Sequence, residues 1–149
     1  ILFVDDEENV LRSLQRGLFE EPYKCLYATS VSQALEVIGQ YDIHVICVDM
    51  YMPGGMNGLE LLRFVKDKYP RIIRLVLSGY SQVNEVLGAI AQGEVYKYIV
   101  KPWDLENEFK PILLQAIEYY KLQEKNNCLA SELEEYKRQQ GGIIGTCKE

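Results

Sequence analysis

Asp5, Asp6, Asp49, Ser78 and Lys101 are the side chains that could do chemistry together, because each follows directly on a short apolar run. Asp5-Asp6 follows Ile1 to Val4, Asp49 follows Ile43 to Val48, Ser78 follows Ile72 to Leu77, and Lys101-Pro102 follows Tyr96 to Val100. Three carboxylates brought together repel one another unless a hard cation lies among them or some hold a proton. Mg²⁺ suits such a set, since it prefers oxygen ligands and keeps waters beside one or two carboxylates and phosphate oxygens. Asp6 and Asp49 are the first candidates for direct ligands. Asp5 acts directly or through a water, and the backbone carbonyl of Tyr51 completes the protein's share. Phosphoryl transfer is catalysed by positioning and charge neutralisation, which gives Lys101 a role as cation and Ser78 a role as hydroxyl donor. Gly79 leaves room for the entering group. Asp49 as nucleophile would form an acyl phosphate.

The elements that must position these residues are visible in the hydrophobic pattern. Apolar runs at Ile1 to Val4, Cys25 to Ala28, Ile43 to Val48, Ile72 to Leu77 and Tyr96 to Val100 predict strands. Amphipathic stretches at Val10 to Phe19, Val31 to Ile38, Leu59 to Val65 and Val83 to Ala91, and one from about Leu105, predict helices. Five such βα units predict an α/β fold with a parallel sheet covered on both faces. Ligands of open α/β sheets bind outside the carboxyl ends of the strands, where the five polar residues fall.

At 149 residues and 48% hydrophobic composition, the chain has room for one domain with a full core and some extra. No apolar run approaches the roughly 18 residues of a membrane span, and no basic segment precedes one, so no membrane contact is expected. The net charge of −6 argues against a nucleic-acid surface on this piece. Cys25, Cys47, Cys128 and Cys147 show no metal spacing, and a lone His44 leaves no zinc set; reduced thiols in a cytoplasmic protein are expected. Cys47 is expected as a small core residue and His44 as a structural one. The start on Ile1-Leu2-Phe3-Val4 suggests a fragment cut within its first strand.

Taken singly, the polar residues have duller readings: Asp5 or Asp6 as a helix cap, Ser78 as a turn residue, Tyr98 as a packed strand aromatic. Their joint placement carries more. Asp5-Asp6, Asp49-Met50-Tyr51-Met52-Pro53 with Gly58, Leu77-Ser78-Gly79 and Lys101-Pro102 resemble the receiver family of two-component signalling over about residues 1 to 120. That resemblance implies a doubly wound, flavodoxin-like five-stranded sheet of order 2-1-3-4-5 and a cis bond before Pro102. It also implies phosphorylation of Asp49 by a sensor histidine kinase or phosphotransfer protein, and a switch in which Ser78 moves toward the phosphoryl group and Tyr98 turns inward. The helix after Ser78, the fifth strand and the last helix would form the output surface. Tyr51 and Tyr80 stand where the family places side chains flanking the path of a hydrolytic water, so their bulk would slow self-dephosphorylation.

The last helix is predicted to run to about Gln140, with Pro111 causing a kink or late start and Gly141-Gly142 ending it. Ile112, Gln115, Tyr119, Leu122, Asn126, Leu129, Leu133 and Tyr136 keep the alternating three and four spacing of a coiled-coil seam. A homodimer through residues 121 to 140 is expected, against the alternative of a solvated single helix. Residues 141 to 149 would begin an output domain. Ile143-Ile144-Gly145-Thr146 resembles the opening of the ATPase domain of sigma-54-dependent activators, although Cys147-Lys148 departs from the Ser-Pro usual there. An HD-GYP phosphodiesterase is the alternative output. Two further readings compete at the level of the domain: a Mg²⁺-dependent phosphatase, disfavoured because Tyr51 replaces its general acid, and a pseudo-receiver that only binds partners.

Overall fold

The computed structural model describes residues 1–50, 52, 57–79 and 83–144, with side chains through residue 139. Five parallel strands, β1 (Leu2–Val4), β2 (Leu26–Ala28), β3 (Val45–Asp49), β4 (Ile73–Ser78) and β5 (Lys97–Val100), form one sheet. Their order is β2-β1-β3-β4-β5, as the resemblance implied. The helices are α1 (Glu8–Gly17), α2 (Val31–Gln40), α3 (Gly58–Lys68), α4 (Val83–Ala91) and α5 (Lys110–Ile144).

Strand alternation sends neighbouring side chains to opposite faces, so the sheet has two cores. Leu2, Val4, Ile46, Val48 and Val76 pack with Ala34 and Ile38 of α2, Leu61, Leu62 and Val65 of α3, and Val86 and Ala89 of α4. Phe3, Val45, Cys47, Leu75, Leu77 and Ile99 pack on the other face with Leu11 and Leu14 of α1 and Phe109, Leu113 and Ala116. β1 and β3 are buried throughout, which accounts for their unbroken apolar sequence. Cys47 lies in this core, where burial pushes its thiol pKa up and keeps it protonated.

Local chemistry sets the helix starts. Ser30 caps α2 by accepting from the Gln33 N–H, and Asn57 caps α3 by accepting from the Glu60 N–H. Asp104 accepts from the N–H groups of Glu106 and Asn107, both at 3.1 Å, and opens a π-helical turn over Leu105–Phe109. α5 then begins at Lys110. This is the late start expected from Pro111, which stands in the first turn of α5, where its fixed φ is tolerated.

The end of α5 corrects the sequence reading. The helix passes through Gly141-Gly142 and continues to Ile144. Glycine weakens a helix by about 1 kcal/mol relative to alanine but keeps its backbone N–H and can follow an already propagating helix. Glycine stops a helix most readily by taking the left-handed conformation, and among the described residues only Gly93, with φ 76°, has a positive φ, so Gly141 and Gly142 do not take it.

Candidate functional site

The rim at the carboxyl end of the sheet collects the residues singled out from sequence. Asp5 follows β1, and its backbone N–H donates to the Ala28 carbonyl at 3.1 Å, which holds this turn against β2. Asp49 closes β3 and Ser78 closes β4, with Asp49 in register with Leu77 and Ser78 with Val100. The Lys101 N–H donates to the Ser78 carbonyl at 2.8 Å, so the last residues of β4 and the first beyond β5 are tied together. The Lys101–Pro102 bond is cis.

Carboxylate oxygens of Asp5, Asp6 and Asp49 lie within 4.8 Å of one another, the one such cluster among the described residues. Asp5 is fully buried, Asp49 is nearly so, and Asp6 is exposed. Lys101 Nζ stands 3.5 Å from Asp5 Oδ2 and 3.4 Å from Asp49 Oδ1. Burial works against the Lys101 charge, but the attraction of Asp49 and Asp5 outweighs it and raises the ammonium pKa. Burial raises the Asp5 carboxyl from 3.8 to about 6, reinforced by Asp49 and Asp6 and opposed by the Glu7 N–H and Lys101. Among the described residues one ammonium pairs with two of these three carboxylates, an excess of negative charge that a divalent cation would neutralise. Asp5 also does the duller job considered for it. Its Oδ1 accepts from the Glu7 N–H at 2.9 Å, at the start of α1, where the Glu7 side chain itself makes no capping bond.

Ser78 is fully buried, and among the described residues its Oγ has no hydrogen-bond partner. A buried hydroxyl normally finds a partner, so this orphan at the edge of an acidic cluster fits a ligand oxygen better than a turn role. Tyr98 lies on β5 opposite Val76, two residues below Ser78 in the sheet, and is half-buried against the α4 side of the core. Tyr51 and Tyr80 fall outside the described residues, and with them the carbonyl ligand and the ring positions expected there. His44 sits at the opposite end of β3 from Asp49, its ring stacked 4.2 Å from that of Tyr120.

Gly58 is a site residue whose importance the sequence understated. A Cβ built there would collide with the Asp49 carbonyl oxygen and come within 2.9 Å of Met50 Cα. The start of α3 therefore rests directly on the backbone that carries Asp49, and the Gly58 N–H donates to the Met50 carbonyl at 3.2 Å. Only a residue without a side chain allows that approach. Its position after Asp49-Met50-Tyr51-Met52-Pro53 was the one available signal.

The comparisons with known proteins agree with this geometry. The hydrogenase transcriptional regulatory protein HoxA of Cupriavidus necator is 33% identical over 133 residues, covering 89% of this chain and 27% of HoxA. The chain therefore spans little more than a quarter of that relative's length. A crystal structure described as adenylate cyclase from Rhodopirellula baltica matches with a TM-score of 0.82 and 29% identity, covering 87% of this chain and 95% of that one. The signal receiver domain of an HD domain-containing protein from Pseudomonas fluorescens Pf-5 matches with a TM-score of 0.74 and 32% identity, covering 80% and 94%. Among the described residues no helix is long and apolar enough to cross a membrane. A family model for the response regulator receiver domain matches residues 1–112, and with the sheet order and the acidic rim in place, the chain belongs to that family.

Proposed function

We propose that the chain takes a phosphoryl group onto Asp49 from a sensor histidine kinase or phosphotransfer protein and passes the event to an output domain. The observation that carries this reading is the rim itself, where three carboxylates lie within 4.8 Å of one another and Lys101 pairs with two of them, Asp5 and Asp49. Mg²⁺ fits that set and would be held by Asp6 and Asp49, by Asp5 directly or through a water, and by the backbone carbonyl of Tyr51, which lies outside the described residues. When bound it would neutralise charge building on the phosphoryl oxygens. An Asp49 carboxylate oxygen attacks phosphorus in line, the P–N bond of a phosphohistidine breaks, and the imidazole leaves with a proton. Lys101, held between Asp5 and Asp49, is placed to pair with a phosphoryl oxygen. The Ser78 hydroxyl donates to another, and the movement that this requires is coupled to Tyr98 through β4 and β5.

Residues 1 to 120 form the receiver, 121 to 140 a helical linker that pairs two chains, and 141 to 149 the approach to the output domain. Transcription regulation is the output we favour, because HoxA is a transcriptional regulatory protein. The four tail residues resembling a sigma-54 activator's ATPase domain lie partly outside the described residues. The HD-domain receiver from Pseudomonas fluorescens keeps a cyclic di-GMP phosphodiesterase as the second reading.

Intact-protein mass after incubation with acetyl phosphate and Mg²⁺ tests the mechanism. A gain of one phosphoryl group that needs Mg²⁺ and disappears in Asp49→Asn is expected. No gain in the parent chain would instead leave a domain that only binds partners.

A further inference from the structure

We propose that the base of the domain, at the opposite end of the sheet from the acidic rim, binds a small organic cation, an alkyl ammonium or guanidinium, between the end of α2, the turn from α3 into β4, and α5. This site is separate from the phosphoryl chemistry proposed for the rim and does not depend on it.

A cavity of about 540 Å³ opens there, within the size range of small-molecule sites. Its floor is apolar, made by the buried side chains of Ile38, Ile43 and Ile72. Its walls are aromatic: Tyr41 and Tyr69 stand at the exits of α2 and α3, and Tyr120 comes from α5. Tyr120 is steadied by its stack on His44, whose Nε2 lies 3.3 Å from Asp42 Oδ2. An alkyl body fits such a floor, and tyrosine faces attract cations. Lys24 Nζ already lies 5.6 Å over the Tyr41 ring.

Burial selects the sign of the ligand. Lys68 and Arg71 reach the cavity alongside Asp42 and Glu124, so the formal charges balance. Their screening does not. Lys68, Asp42 and Arg71 are exposed, the Arg71 side chain by 64%, whereas Glu124 Oε1 is shut off from solvent. Among the described residues that oxygen accepts no hydrogen bond: Arg71 Nη1 stands 3.4 Å away, close enough for attraction but not aligned to donate. A buried carboxylate oxygen without a donor is costly, and a ligand N–H would satisfy it. The backbone adds to the preference. α2 and α3 both end at the cavity, where helix C-termini carry partial negative charge, and the last turn of α2 has no basic residue to offset it. Burial raises the Tyr120 hydroxyl pKa, and the fields of Glu124 and Asp42 add to this against the pull of Arg71, so the surroundings of the ring are net negative.

Titration calorimetry of the 149-residue chain with agmatine, a guanidinium and an amine joined by an alkyl chain, tests the site. Saturating Mg²⁺ is present throughout, to keep the probe off the acidic rim. Saturable binding of one agmatine per chain is expected. Glu124→Gln should weaken it by about tenfold or more, the scale of one hydrogen bond to a charged group. Arg71→Ala, at an exposed position, should strengthen binding by removing a rival cation, an effect of opposite sign that damage to the fold would not produce. Glu134→Gln removes the same charge from α5 beyond the cavity and should leave the affinity unchanged. No saturable heat in the parent chain would overturn the proposal, as would equal losses in Glu124→Gln and Glu134→Gln, or weaker binding in Arg71→Ala. Loss of binding in Asp6→Asn would place the cation at the rim and overturn it as well.

Discussion

At the rim, Asp5 and Asp49 are buried while Lys101 reaches in from beyond β5 to lie within 3.5 Å of both. On the far half of α5, Leu129, Leu133 and Tyr136 stand more than half exposed. The first region has polar groups where apolar ones would be cheaper, and the second has apolar groups where polar ones would be. In the reading proposed above, both inversions face something outside the chain: a phosphoryl group and a cation at the rim, a second helix along the stripe. The difference lies in what holds each region in shape. Two cores and five strands fix the rim from within, so its geometry belongs to the isolated domain. A solitary helix of this kind is stabilised mainly by what packs on its apolar face, and among the described residues the far half of α5 leaves that face exposed.

Substitutions can break this contrast at either end. The largest expected effect is at Asp49: Asp49→Asn removes the proposed nucleophile and should abolish phosphoryl uptake, read by intact mass. Lys101→Ala should slow uptake by about a hundredfold, the scale on which preorganised charge stabilises a transition state, and retained wild-type rates would remove it from the mechanism. Phe109, fully buried between Phe3 and Trp103, tests the body of the domain. Phe109→Ala should cost about 3–5 kcal/mol in denaturant unfolding, whereas Leu133→Ala in dilute solution should stay within about 0.5 kcal/mol. Equal losses at the two positions would mean that the far helix is not independent of the body.

The smallest effect concerns pH. The Asp5 carboxyl is raised to about 6 in the fold, against an ordinary value of 3.8. The folded state therefore binds this proton more tightly than the unfolded state, and ionised Asp5 weakens the metal-free protein. That penalty should lift as pH falls through about 6 and be gone near 3.8. Melting of metal-free protein should show this relative to Asp5→Asn, and Mg²⁺ should shrink the difference by stabilising the ionised form. A Mg²⁺-independent difference would argue that Asp5 is a capping residue only.

Much of the site could be read from sequence because its residues are tied to strand ends. An apolar run announces a buried parallel strand, and the residue after it must emerge at the rim, so Asp5, Asp49, Ser78 and Lys101 were placed by pattern alone. The sequence could not weigh Gly58, since its need for a bare Cα arises from the start of α3 resting on the Asp49 backbone. Nor could it show that Asp5 both caps the turn into α1 and faces Lys101. The extent of α5 was misjudged for the same reason: Gly141-Gly142 reads as a stop locally, but a helix already propagating carries through it.

Sequence determined the alternation of strand and helix, the acidic and basic residues at the strand ends, and the seam spacing of α5, because each depends on a period or a neighbour along the chain. Tertiary structure decided which oxygens and nitrogens come within 3.5 Å at the rim, and that Gln115 and Tyr119 turn to Lys97 and Tyr96 while the stripe from Leu122 onward stays open. Those outcomes depend on residues far apart in sequence meeting across the sheet, and no local pattern specifies such distances.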